Sequence, residues 1–432
     1  MVVYTFFDLF RNDFSFSVRD SCMKQHIDLA FACNISFDGG DGAVSAYGNV
    51  TRSHPLAANP DLAGLGIWIG LTTGILLSFL AVIFYSREVV RALVRRKGDS
   101  KLGAIGTRLH IVAGSEITRA GAADHIPFWT RFYRVLRALV MLTADTQSVL
   151  ALAYGINFGT SGKCTTSAYH YSMGLSTILC ACTSVTFSVL IVHDYWRARV
   201  AAFLRFSVAA VIFAVLIRFQ VYQYYRGFAA EPVGWFFYEK PAGSVDSTVL
   251  VPIACFLDPE LNPLTGLSNA QIRRVGGRYN SRSQPEIYFS VSVAVIFFLG
   301  HLKHWLTHFR EWVGSRPGDI DRRKAWYYTV HRSYNTWWLP LLAWGFPLAG
   351  CIFAYVTSWT HMQVLRNWVH GSGWMAGGFS DKNPERDLTS LGQVIPIVTL
   401  IWIVINTAEA WRLDSDSATR VINQRLRGNV SV

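Results

Sequence analysis

Seven stretches of the chain hold about 20 residues each with almost no charge, the length a helix needs to cross a bilayer. They run near Leu62–Tyr85, Ala138–Phe158, Thr166–Val192, Val200–Val221, Ile287–Leu306, Trp338–Ser358 and Leu391–Trp411. The third is long enough to tilt, and the fifth gives way quickly to the polar 301-HLKHWLTHF-309. The pattern predicts an all-α polytopic transmembrane bundle of seven spans, with six or eight as alternatives. A segment at 1–61 precedes the transmembrane domain at 62–411, which carries a long loop at 222–286, and a basic tail follows at 412–432. No tandem repeat or low-complexity tract is present.

Composition agrees with a membrane assignment. The chain is 51% hydrophobic and 16% charged, with a mean hydropathy of +0.26, whereas a soluble protein of this size carries about a quarter charged residues. The 15 Trp suit interfacial belts. The net charge of +12 does not point to nucleic acid, because the basic residues fall in alternate loops. The Ser86–Arg137 connection holds eleven Lys/Arg against four acids, and basic clusters recur at 193-HDYWRAR-199, at Arg316, Arg322, Arg323 and Lys324, and in the tail. The positive-inside rule then places the N-terminus luminal or extracellular and the C-terminus cytosolic. The sequons at Asn34 and Asn49 fall on the luminal side, where glycosylation occurs. A third, 429-NVS-431, lies in the tail and is expected to stay unmodified.

Cys22, Cys33, Cys164 and Cys255 also fall on the luminal side, where disulfides persist. Four cysteines allow three pairings. The pairing first expected is Cys22–Cys33 with Cys164–Cys255. The three cysteines inside spans, Cys180, Cys182 and Cys351, read as packing residues. The first fifteen residues mix Asp8, Arg11 and Asp13 into an aromatic run, unlike a cleavable signal peptide. The first span is therefore expected to target the chain to the endomembrane system, the plasma membrane being the alternative destination.

Candidate chemistry starts with 141-MLTADTQSVLALAYGINFG-159, which places Asp145 and Gln147 inside the second span. An acid there faces a bundle interior or a wet cavity, since exposing it to hydrocarbon is costly. It reads either as a proton donor or as a structural carboxylate bonded to a neighbouring helix. In 166-TSAYHYS-172, Tyr169 and His170 can hydrogen-bond a ligand and titrate near neutrality, or form an interfacial belt with a capping histidine. Asp61, in 59-NPDLAGLG-66, reads as a helix N-cap or as a second acid. Glu409 and Asn406 sit near the cytosolic end of the seventh span, where Glu409 either snorkels or joins a pocket with Asp145. Gln393 opens that span ahead of Pro396, a potential kink. The glycine-rich 38-DGGDG-42 reads as a turn.

Several chemistries lack their motifs. There is no DDxxD cluster for magnesium diphosphate, and no P-loop, HExxH, GxSxG or CxxC. Three histidines in 301-HLKHWLTH-308 share a helical face but have no carboxylate nearby, so neither a metal nor another cofactor is expected.

The segments 59-NPDLAGLG-66, 145-DTQSVLALAYGI-156, 164-CTTSAYHYS-172 and 389-TSLGQVIPIVTLIWIV-404 resemble a group of filamentous-fungal polytopic membrane proteins. That group is similar to the membrane-bound terpene cyclases of meroterpenoid pathways, of the ascochlorin, ascofuranone and macrophorin type. The strict motifs cover about thirty residues. The resemblance implies metal-independent cyclisation of a farnesylated aromatic or quinol, often as its terminal epoxide. The partners would be a lipophilic prenylated substrate, membrane lipid and other enzymes of the pathway. Residue chemistry then assigns Asp145 as proton donor, with Gln147, Tyr169 and His170 orienting substrate or taking the final proton, and Asp61 or Glu409 as alternative acids. Tyr171 stands after the SAYH segment where a tryptophan is expected.

A seven-span sensor suits the same topology, but the receptor signatures DRY and NPxxY are absent; HDYW and NTAEAW stand there instead. A transporter would show inverted repeats or broken half-helices, and neither is found.

Overall fold

In the computed structural model the described residues are chiefly 128–159, 162–192, 199–226, 251–258, 279–314 and 338–372, with parts of 18–48 and 63–83 and isolated positions at 260–265, 385 and 394–408. They are predominantly helical. Helix α1 spans Val18–Met23, and a two-stranded antiparallel ribbon follows, β1 (Ile35–Asp38) with β2 (Ser45–Gly48), Ile35 facing Gly48 and Asp38 facing Ser45. This ribbon departs from the all-α expectation. Residues 39–42 of the glycine-rich 38-DGGDG-42, where a turn is expected, lie outside the described residues.

The bundle consists of α2 (Leu65–Gly74), α3 (Phe128–Gly159), the short α4 (Gly162–Thr165), α5 (Ala168–Ile191), α6 (Arg199–Arg226), the short α7 (Ile253–Leu257), α8 (Tyr279–Gly314) and α9 (Trp338–Ser372). Three segments are long and apolar enough to cross a membrane: Val135–Gly159, Ala168–Ile191 and Val200–Gln223. Helix α5 is the axis. All 24 of its residues are buried, and it packs against α3, α9, α8 and α6. Its small residues permit close approach; a side chain on Gly174 would meet the Phe158 ring, and one on Gly300 of α8 would press on Val189. Its hydroxyls turn inward on the helix: Thr177, Thr183, Thr186 and Ser188 donate to the carbonyls of Met173, Cys180, Cys182 and Val185. Back-bonding of this kind removes the cost of burying a hydroxyl where no water competes.

Two helices outrun the spans read from sequence. Helix α8 continues through the three-histidine stretch, and His301 and His304 are buried there. The His304 ring nitrogen Nε2 bonds the Val189 carbonyl at 3.0 Å, and Trp196 donates to His301 Nδ1 at 3.2 Å. Helix α9 continues past Ser358 to Ser372 because Met362, Leu365 and Val369 extend its apolar stripe, each at most 2% exposed.

The four cysteines expected to form disulfides pair otherwise than first expected. Cys22 bonds Cys164 and Cys33 bonds Cys255, with Cα separations of 5.5 and 5.4 Å. The reason lies in the 222–286 loop. Its 251–253 portion pairs with the start of α5, through Ala168 N–H to the Val251 carbonyl at 2.9 Å and Ile253 N–H to the Thr166 carbonyl at 3.0 Å. That contact places α4 and α7 side by side beneath the N-terminal segment, so each offers its cysteine upward to that segment. Cys180, Cys182 and Cys351 are free and buried, as expected of packing residues. Asn34 and Asn49 lie outside the described residues.

Non-reducing peptide mapping is expected to recover Cys22–Cys164 and Cys33–Cys255 peptides and no Cys22–Cys33 peptide. Replacing Cys164 with Ser is expected to cost about 2–5 kcal/mol of stability, read as a lowered thermal midpoint in detergent.

Candidate functional site

The sequence-predicted residues divide sharply. Asp145 forms a bidentate pair with Arg205 of α6, Nε to Oδ1 at 2.7 Å and Nη2 to Oδ2 at 2.6 Å. Both side chains are about one-third exposed on the outside of the bundle, at 35% and 30%. In this fork both carboxylate oxygens are taken up in accepting hydrogen bonds from the guanidinium. This corrects the expectation of a proton donor in a dry cavity: α6 supplies a cation one helix away, and the pair neutralises itself. Asp61, Glu409, Asn406 and Gln393 lie outside the described residues. Gln147 is buried beside Gly74, away from Asp145.

Tyr169 and His170 meet a residue that sequence analysis left in a loop. Glu385 is fully buried, and both its oxygens are engaged. His170 Nε2 lies 2.9 Å from Oε1, His370 Nε2 lies 2.9 Å from Oε2, and the Tyr169 hydroxyl donates to Oε2 at 3.2 Å. The Glu385 carbonyl accepts from Leu65 N–H at 3.0 Å and from Arg366 Nη2 at 3.3 Å. Arg366 and His370 are one turn apart on α9 and share a face. His170 lies in the first turn of α5, whose N-cap is Ser167. Ser167 Oγ accepts from His170 N–H at 3.3 Å and lies 2.8 Å from His170 Nδ1. The hydroxyl proton is therefore free to go to Nδ1, which leaves Nε2–H pointing at the carboxylate.

The electrostatics follow from these contacts. Burial alone would raise the Glu385 carboxyl, but hydrogen bonds and charge from His170 and His370 outweigh it and hold it at about 2. Glu385 is thus held as an anion that anchors the side chains around it. The two imidazoles address different oxygens and do not converge on one point. Among the described residues no group of three His, Cys, Asp or Glu side chains is arranged to hold a metal. The order Ser167–His170–Glu385 has the members of a nucleophilic triad, but Ser167 caps a helix and its oxygen already accepts from the backbone. Proton transfer is the chemistry this centre can perform: two imidazoles and a phenol around a fixed negative charge. A second acid–base pair lies between α8 and α9, with Glu286 Oε1 3.2 Å from His361 Nδ1 and Ser176 Oγ 3.2 Å from the same nitrogen.

No family model matches the chain, and neither does any curated protein or solved structure.

Sequence analysis missed Glu385, His370 and Arg366 because it ended the sixth span at Ser358. The signal was present in 362-MQVLRNWVH-370, whose apolar residues keep helical spacing up to Gly371. Nothing comparable marks Glu385, an acid in the polar stretch 380-SDKNPERDLTS-390.

Because the Glu385 carboxyl is lowered on folding, its contribution is present above the ordinary carboxylate range and is lost as pH falls towards about 2. The unfolding midpoint, followed by tryptophan fluorescence, is expected to fall on acidification below about pH 4.5. Glu385→Gln is expected to be less stable at pH 7 and to lose much of that acid dependence.

Proposed function

We propose that the chain is a multi-pass integral membrane enzyme, a metal-independent terpene cyclase acting on a prenylated aromatic or quinol or its terminal epoxide. In this reading it crosses the bilayer seven times, N-terminus luminal and C-terminus cytosolic, and its acid–base centre is the buried Glu385 cluster. The observation that carries the reading is a fully enclosed carboxylate with one histidine on each oxygen. A buried ion is expensive and needs several partners; an arrangement that invests two titratable imidazoles in it suits proton transfer.

The chemistry balances without a co-reactant. His170 or His370 as imidazolium protonates the epoxide oxygen; the C–O bond breaks as the π electrons of the neighbouring alkene form the ring C–C bond. The resulting carbocation returns a proton to the neutral imidazole, so the reaction is an isomerisation. Glu385 stays ionised throughout. Tyr169 positions the carboxylate by its hydrogen bond. Trp68, one turn beyond Leu65 on α2, stacks on Trp359 of α9 with ring centres 5.7 Å apart, and such faces stabilise a passing cation.

The test is product formation from an epoxyfarnesyl phenol in microsomes expressing the chain. Glu385→Gln and His170→Gln are expected to lower turnover at least a hundredfold while both disulfides and membrane insertion persist. Asp145→Asn and added EDTA are expected to change it less than threefold. Full activity in Glu385→Gln, or loss of activity in Asp145→Asn with an intact fold, would return the proton donor to the second span.

A further inference from the structure

The Asp145–Arg205 pair cancels its charge without using all of its hydrogen-bonding groups. The guanidinium commits Nε and Nη2 to the carboxylate, so Nη1 and its N–H bonds have no partner among the described residues. A carboxylate has about four acceptor positions, and Arg205 takes one on each oxygen of Asp145. The neighbouring hydroxyls do not take up the rest, because Thr146 and Ser148 donate back to the Thr143 and Ala144 carbonyls. Tyr195, which is buried, lies close enough to feel both charges. The unused donors and acceptors open outward, where about a third of each side chain is uncovered.

The surface around them is apolar. Val149, one turn beyond Asp145, is more than half exposed, and so are Val200, Leu204 and Val211, which share one face of α6. On a helix that crosses a membrane such a face meets lipid, and charged groups open to it are costly. Arg205 stands five residues beyond Val200, where its span begins, or about 8 Å along the helix. At that depth a long side chain reaches the headgroup region. The basic 193-HDYWRAR-199 just before α6 marks the same end as cytosolic.

A cation and an anion fixed side by side are the complement of a zwitterion. Phosphate oxygens accept from Arg205 Nη1, while a primary ammonium donates to the open positions of Asp145. A choline headgroup has no N–H to donate, and a glycerol headgroup has no cation. We propose that Asp145 and Arg205 form a docking site, on the outer face of α3 and α6, for the headgroup of a phospholipid that carries phosphate and a primary ammonium, an ethanolamine lipid. The proposal rests on the membrane reading above and is independent of turnover at Glu385.

The probe is dioleoyl phosphatidylethanolamine, titrated into the detergent-purified full chain beside its choline and glycerol counterparts and followed by native mass spectrometry. The ethanolamine lipid is expected to bind about tenfold tighter than the choline lipid, the effect of one charge-assisted hydrogen bond, and also tighter than the glycerol lipid. Asp145→Asn is expected to abolish the preference over choline. Replacing both residues, Asp145→Leu with Arg205→Leu, leaves no charge unpaired, so the thermal midpoint is expected to persist while the preference is lost. Equal binding of the ethanolamine and choline lipids, tighter binding of the glycerol lipid, or a preference that survives in the double variant overturns the proposal. Carbonate washing of microsomes separates the two readings: a chain that stays embedded yet shows no preference loses only this docking site, and a chain that washes out loses the membrane reading with it.

Discussion

A carboxylate removed from water has to be surrounded, and the enclosure of Glu385 ties together segments far apart in the chain. Its two oxygens draw the first turn of α5 and the last turns of α9 to one point through His170 and His370. Its backbone carbonyl draws in the start of α2 through Leu65 and a second position on α9 through Arg366. Leaving any of these partners out would strand a charge in a medium of low polarity. The covalent links reinforce the same end, since Cys22–Cys164 and Cys33–Cys255 pin the N-terminal segment over α4 and α7. Hydrogen bonds inside and disulfides outside therefore hold one end of the bundle.

Along the rest of α5 the governing condition is different. A helix buried on every side has no solvent to receive its polar groups, and its hydroxyls mostly solve this by bonding their own backbone. This lets a sequence rich in Ser, Thr, Cys and Gly serve as a packing axis, because small side chains bring α3, α8 and α9 close. On the neighbouring α9, Thr357 and Ser358 follow the same solution, both donating to the Ala354 carbonyl.

The exchange of roles between Asp145 and Glu385 shows where linear reasoning reaches its limit. Asp145 stands in the middle of an apolar run, which marks it as costly and hence as a candidate. Its partner, Arg205, stands in another apolar run, and only the packing of α3 on α6 reveals that the two charges cancel on the outer surface. Glu385 stands among polar residues, where an acid attracts no notice, yet it is the most enclosed charge among the described residues. Hydropathy measures the company a residue keeps in the chain, whereas burial depends on its company in space.

Predominantly helical character, three helices long and apolar enough to cross a membrane, the extent of α5 to within two residues and the assignment of four cysteines to disulfides were all legible in the sequence. Each of these is local, set by apolar run length, by a Ser167 cap or by the segment in which a cysteine falls. The continuation of α9 to Ser372 was legible too, in the spacing of Met362, Leu365 and Val369, although the polar residues between them masked it. Which cysteine meets which, which acid is neutralised and which is enclosed were decided by tertiary structure alone. These depend on contacts between positions far apart in the chain, 60 residues between Asp145 and Arg205, 215 between His170 and Glu385 and 222 between Cys33 and Cys255, and no local pattern encodes such a meeting.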